Sequence, residues 1–450
     1  MPQEPVSVAP MRRRDISRTA DCRQTTNASA VLQAVLDHGP VARSTIARLA
    51  GLSPAAVSRL CAELAAAGLI REAPEAPEAA GPKPVGRPHV PVEVDTGRRV
   101  ACGLHIALRH ATLALVDLRG RVLARERLAH QGTDPRHVLP RLARRIPEFL
   151  AAHAGERTPL GLGVATGGWV DRADGVIMDN TLLGWRGVPV RQLLAQATGL
   201  PVRVDNHARA LARAEQLFGD ARARRSVLHL FVGNVVDAAF ATGGGIHHGP
   251  RSAAGSVAHL HLAGRADPCP CGLRGCLEAV VSCRALGLRA AREGITPGPS
   301  FAALLAAARD GDRRAVALFR ERATLVGSAA ALLMDVLNPE LLVVSEAGAV
   351  YLPECLEILR AQVGERSRVG GDPGRSVVAT SFGREALPVA AGTVILDAVY
   401  ENPLRRGGAV TPGPVASAAV ASRAVASRAV ASQAVASRAV APHAVASRAS

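Results

Sequence analysis

Lysine is almost missing from this chain. Lys83 stands alone in a population of 54 basic residues that is otherwise arginine, with alanine in excess, a pattern expected from GC-rich coding. The formal charge of +16 therefore says less about polyanion binding than its size suggests. It is also dispersed: residues 1–71 carry nine Arg against five Asp and Glu, and the segment from Glu401 carries six Arg against one Glu. Basicity of this kind is compatible with nucleic acid without singling it out. No apolar run approaches the ~18–20 residues of a membrane span, so no membrane partner is expected. Arg12–Arg14 is not followed by an apolar stretch, so no secretory signal is expected. Eight cysteines, three of them crowded together, suit a reducing cytoplasm better than a disulfide framework. With 450 residues, 48% hydrophobic and 20% charged, the composition is globular and long enough for two or three domains.

The most informative stretch is GSVAHLHLAGRADPCPCGLRGCLE, from Gly255 to Glu278. Cys269, Cys271 and Cys276 fall within eight residues, and His259 lies ten residues before the first. Three thiolates and an imidazole make a tetrahedral Cys₃His set for a structural Zn²⁺, with no position left for water. Gly272 and Gly275 allow the tight bend that lets the sulfurs converge. His261, two residues on, shares a strand face with His259 and is a rival fourth ligand.

Upstream, apolar spacing sets out three helices. Val31, Leu32, Val35 and Leu36 form one face of a helix from about Asn27 to Gly39-Pro40. A short helix from about Ser44 to Ala50 points Ile46 and Leu49 inward. Gly51-Leu52 turns the chain, and Ser53 caps a third helix with Pro54 at its first position. That helix buries Val57, Leu60 and Leu64 and stops at Gly68. Leu69–Arg71 then starts a strand, completing the outline of a winged helix-turn-helix. Double-stranded operator DNA is the expected partner. Ser44, Thr45, Ser53, Ala55, Ala56, Ser58 and Arg59 are the expected contacts, with Arg59 suited to a guanine edge. Arg87, in Gly86-Arg87-Pro88, is placed to enter a minor groove.

These signals divide the chain into a disordered segment 1–24, a winged helix 25–75, a wing and linker 76–97, a body 98–402 and a tail 403–450. The body opens as a β-meander from about Arg98 and continues as alternating strands and helices, an α/β pattern with polar loops at strand ends. The tail repeats a five-residue unit such as Val-Ala-Ser-Arg-Ala. A period of five matches neither helix nor strand, so a disordered basic tail is expected.

Taken together, the helix-turn-helix, Gly86-Arg87-Pro88 and the 255–278 stretch resemble the ROK family of repressors and sugar kinases, over roughly residues 25–402. The matching positions in the metal stretch are His259, Cys269, Cys271, Gly272, Gly275, Cys276, Leu277 and Glu278. The resemblance implies a two-lobed, actin-like (ribonuclease H-like) ATPase fold with a sugar cleft between the lobes. It selects His259 over His261 as the fourth ligand. It also implies that Asn206, His207, Ser256, His259 and Glu278 line the effector cleft. Family kinases carry Asp-x-Gly-Gly-Thr where this chain has His105-Ile106-Ala107-Leu108-Arg109, an Asp where it has His207, and a glycine pair where it has Ser345-Glu346. Those losses argue against catalysis, and Ser256 replaces a carboxylate that would hold a sugar hydroxyl. The expectation is a cytoplasmic regulator that binds DNA as a homodimer or homotetramer, with an inactive kinase-like body sensing a sugar.

Overall fold

The computed structural model describes residues 13–73 and 90–404, with side chains from Thr26 onward. Residues 1–12, Arg87 and the repeat tail from residue 405 lie outside the described part. The N-terminal head comprises α1 (Arg13–His38), α2 (Arg43–Ala50), α3 (Pro54–Ala66) and a hairpin of β1 (Ile70–Glu72) and β2 (Val92–Val94). Disorder expected up to residue 24 is corrected from Arg13 on, where α1 is already helical. Neither proline nor glycine falls between Pro10 and Gly39, so nothing interrupts that helix. Ser53 Oγ accepts from Ala56 N at 3.3 Å, and Gly68 sits at φ 71° just past α3, both ends as the sequence specifies. Leu49 is a second correction: Ile46 is fully buried, but Leu49 is 43% exposed, because the short α2 lies at the surface.

The body opens with β3 (Arg99–Ile106), β4 (His110–Asp117), β5 (Val122–Ala129), α4 (Pro135–His153) and β6 (Thr158–Thr166). A small antiparallel sheet follows, β7 (Trp169–Asp171), β8 (Val176–Asn180) and β9 (Trp185–Val188). Then come α5 (Val190–Thr198), β10 (Val202–Asn206) and α6 (His207–Phe218). The second lobe holds β11 (Ser226–Val232), β12 (Val236–Thr242), β13 (Gly245–Ile246), α7 (Leu277–Val281), α8 (Cys283–Arg292), α9 (Phe301–Arg309) and α10 (Arg313–Leu337). It closes with β14 (Leu341–Glu346), α11 (Ala347–Tyr351), α12 (Pro353–Arg366), α13 (Pro373–Ser376) and β15 (Val377–Ala379), before α14 (Ala386–Glu401).

The strand orders are β10-β6-β3-β4-β5 and β13-β12-β11-β14-β15. In each sheet three neighbouring strands are parallel and the next two antiparallel, so the two lobes repeat one topology. β14 and β11 are apolar runs buried along nearly their whole length, as strands covered on both faces must be. Helix α14 lies back across the first sheet. A Cβ at Gly163 would sit 2.1 Å from Ala391 O, and one at Gly103 2.7 Å from Gly392 N. Glycine at these positions is what lets the helix backbone rest directly on the strands.

Head and body share one core. Val31, Leu32, Val35, Ile46, Leu60 and Leu64 of the head are buried in the same cluster as Val116, Leu118, Leu217, Ile395, Leu396 and Tyr400 of the body. Burying each large side chain contributes roughly 1.5–3 kcal/mol. Polar contacts fix the orientation: Arg224 donates to both oxygens of Asp37 at 2.5 and 2.6 Å, and Ser29 Oγ donates to Tyr400 O at 2.5 Å.

Candidate DNA-reading helix, metal centre and cleft

On α3 the residues pointing away from the shared core are small apart from Arg59 and Glu63. Ser53, Ala55, Ser58, Arg59 and Ala62 are exposed and Ala56 half-buried, and on α2 Ser44 is exposed and Thr45 half-buried. Arg59 reaches Glu63 one turn along at 2.7 Å, with both groups at the surface. The pair holds the guanidinium over the helix face, and exposed pairs of this spacing are worth only about 0.3–0.5 kcal/mol. Arg59 is therefore oriented without being committed. In the wing, Arg71 pairs with Glu93 and Arg43 of α2 with Glu72.

The 255–278 stretch folds back on itself as a knuckle. Cys269 N donates to Leu273 O, Gly272 N to Cys269 O and Gly275 N to Asp267 O. Gly272 and Gly275 take φ values of 92° and 72°, conformations that favour glycine. The donor atoms of His259, Cys269, Cys271 and Cys276 all lie within 4.8 Å of one another. His259 Nδ1 is 3.7 Å from Cys269 Sγ, and Cys271 Sγ is 3.7 Å from Cys276 Sγ. A tetrahedral ion with thiolate bonds near 2.3 Å and an imidazole bond near 2.0 Å needs donor edges of roughly 3.5–3.8 Å. Two of the six donor edges have that length and the rest lie within 4.8 Å, so the four residues could hold such an ion. His261 does not join them; its Nδ1 is 3.2 Å from Arg274 O.

A cleft of about 470 Å³ opens beside this knuckle, lined among others by Asn206, Asp237, Ser256, His259 and Glu278. Asn206 caps α6, accepting from Ala208 N at 2.7 Å, and its Nδ2 donates to Gly168 O and to Asp237 Oδ2. Gly168 N donates to the same Asp237 oxygen at 3.2 Å. Glu278 Oε2 accepts from Val236 N, and burial, helped by the nearby Asp237 charge, pushes its carboxyl up to about 7. Four of the five expected cleft residues are thus brought together.

His207 is the exception. Only 2% of it is exposed, and it lies beneath the floor rather than on it. Its ring packs 4.0 Å from that of Phe231, with Nε2 3.1 Å from Asp237 Oδ2 and Nδ1 3.5 Å from His105 Nε2. Because Asn206 caps the helix, the residue after it is turned into the core. Sequence reasoning missed Asp237, the carboxylate at the centre of this floor. Its only trace is an acid interrupting an apolar strand.

At the end of β14, Glu346 is turned inward. Its Oε2 accepts from Ala349 N at 2.7 Å and its Oε1 is 2.6 Å from Arg322 NH1, with the two side chains 2% and 1% exposed. Arg322 also donates to Val281 O and Val232 O. This ion pair, unforeseen from the sequence, fills the end of the second sheet.

Fold, cleft and metal knuckle define a two-lobed, kinase-like body carrying a winged helix. The sequence pattern of the ROK family matches residues 101–379, and that of the MarR family residues 25–78. The chain belongs to the ROK family. It is similar to the transcriptional regulator Rv0485 of Mycobacterium tuberculosis, 35% identical over 400 residues that cover 85% of this chain and 88% of the relative. It is also similar to the DNA-binding transcriptional repressor Mlc of Escherichia coli, 27% identical over 393 residues covering 84% and 95% of the two chains. Among solved structures, a ROK family transcriptional regulator homologous to the Escherichia coli protein superposes with a TM-score of 0.70, covering 85% of this chain and 98% of the other at 24% identity. No helix among the described residues is long and apolar enough to cross a membrane.

Proposed function

We propose that this protein is a transcriptional repressor that binds operator DNA through α3, and that its body senses a small sugar without phosphorylating it. The observation that carries this reading is a capped recognition helix with a small exposed face and Arg59, built into one core with the kinase-like body. A dimer would set two recognition helices about 34–36 Å apart, matching a palindromic operator. The ion in the knuckle is Zn²⁺ in this reading, held by His259, Cys269, Cys271 and Cys276. It supplies structural cross-linking, and through His259 it stiffens the cleft rim.

The absence of catalysis is supported by geometry at two positions. His207, standing where family kinases have the base, is buried against Asp237 and His105, out of reach of a hydroxyl in the cleft. Glu346 is tied to Arg322 where those kinases bring glycine to the nucleotide. Ser256 in the cleft wall favours one second reading, a dimer that binds DNA with no sugar response.

The deciding experiment is a mobility shift of the DNA upstream of this protein's own gene, repeated with a sugar panel and with ATP. Release of a specific shift by one sugar supports the sensor. A specific shift that no sugar alters supports the ligand-free dimer. ATP-dependent turnover of any sugar would overturn both.

A further inference from the structure

Behind the cleft floor, three arginines meet two aspartates. Asp205, next to Asn206, accepts from Arg209 Nε at 2.7 Å and lies 3.6 Å from Arg172 Nε. Arg172 also donates to Asp397 Oδ2 at 2.6 Å, and Arg213 Nε donates to Asp397 Oδ1 at 2.5 Å. Asp397 lies on α14 and is 7% exposed. It is thus the shared counter-ion of two guanidiniums, with Glu401 the next acid along α14 to act on both. A buried group of this kind is strongly held by its partners.

The same arginines grip the loop that walls the cleft. Ser252 Oγ accepts from Arg172 N at 3.4 Å, Ser252 O accepts from Arg209 NH1 at 2.8 Å, and His248 Nε2 is 3.1 Å from Arg172 NH1. Arg251 and Ser252 both take left-handed φ values, 51° and 56°, which cost energy for residues other than glycine and persist only when neighbours impose them. One helical turn along α14 from Asp397, Tyr400 O accepts from Ser29 of α1, and Tyr400 Oη donates to Leu118 O at 2.6 Å. Cleft loop and ion cluster are therefore joined by part-buried polar contacts to Asp397, and one turn of α14 connects Asp397 to the Tyr400 contact with the first helix of the head.

We infer that Asp397 is a positioning residue that ties the cleft loop to α14 and, through Tyr400 and Ser29, sets the seat of α1 in the DNA-binding head. A ligand that moves the loop then acts on the head through α14. That use in regulation rests on the sensor reading above, whereas the mechanical link stands apart from it.

Hydrogen exchange on the full-length protein tests the link with neither DNA nor ligand present. In Asp397→Asn, amides of residues 248–255 and of 31–38 should exchange about fivefold faster or more, together, while β3 and β4 keep wild-type protection. Asp397→Glu, which keeps the charge, should restore most of the protection. Ser29→Ala should loosen α1 alone. If Asp397→Asn loosens the loop but leaves residues 31–38 at wild-type rates, the link is refuted; if it unfolds the protein, Arg213→Gln replaces it with the same criterion. Failure of the wild type to bind any DNA would overturn the repressor reading and leave this result unaffected.

Discussion

Replacing Glu346 by glutamine should be among the most damaging single changes to the body. The carboxylate and the Arg322 guanidinium are 2.6 Å apart and almost wholly removed from solvent. At an effective dielectric near 20 their gross attraction is about 6 kcal/mol, part of which only offsets their desolvation. Glutamine is nearly isosteric, so packing is preserved and the loss isolates the charge. Arg322 would keep its bonds to Val281 O and Val232 O and its place over the Phe301 ring, yet it would be an uncompensated buried cation. Breaking such a pair from one side costs roughly 3–5 kcal/mol. For a unit of this size that is a fall in Tm of roughly 6–10 °C, at about 2 °C per kcal/mol. A circular-dichroism melt of full-length protein reads it directly. The double change Arg322→Met with Glu346→Leu should return stability to within about 1 kcal/mol of wild type, because no charge is then left unpaired. A drop below about 2 °C for Glu346→Gln would show that the pair is not the buried ion pair described here. Millimolar Mg-ATP should not shift the wild-type melt, whereas a working nucleotide site would raise it.

Metal analysis should find one zinc per chain. Cys276→Ser or prolonged chelation should remove it and lower Tm, and full stability without metal would refute the site. Arg59→Ala should weaken operator binding by about 1–3 kcal/mol and relax specificity at one base pair, read by mobility shifts on substituted operators. His229 is wholly buried, its pKa pushed down to about 3 by burial and the neighbouring His207. Between about pH 6.5 and 3 the unfolded chain therefore binds a proton that the folded chain does not, so this residue's contribution to stability is lost as pH falls, at up to ~1.4 kcal/mol per unit. His229→Asn should flatten the slope of denaturant-derived stability between pH 6.5 and 5.5, and an unchanged slope would refute the assignment. A fragment of residues 13–97 should fail to give a cooperative melt, since it loses Leu118, Leu396 and Tyr400 from its core, several kcal/mol against a small domain's total of about 5.

What could be read from the sequence was local. Ser53-Pro54, the spacing of Val57, Leu60 and Leu64, and the run from Cys269 to Cys276 each carry their signal within about a dozen residues, and each leads to the observed cap, core face and donor cluster. Leu49 misled because a two-turn helix offers too few positions to fix its buried face. His207 misled because the resemblance carries over a position and not the residue: a histidine there is packed against Phe231 and His105 beneath the cleft. Arg172 and Asp397 are 225 residues apart, and Arg322 lies 24 residues before Glu346 on another element. Single charges at such separations leave no periodic trace, so the buried ion pairs were out of reach.

The replacements at the kinase positions are not simple losses. His207 has gained Asp237 and His105 as neighbours, and Glu346 has gained Arg322 and the Ala349 amide. An isolated charge or polar group in these places would cost the fold on the order of 1–3 kcal/mol each, and here each has an oppositely charged or polar side chain from a different element within 3.5 Å. Asp237 also holds Asn206 and the Gly168 amide, so the floor of the cleft is cross-braced between β10, β12 and the turn before β7. Bracing it keeps a cleft of defined shape in one core with the head, which is what the proposed sensor would require.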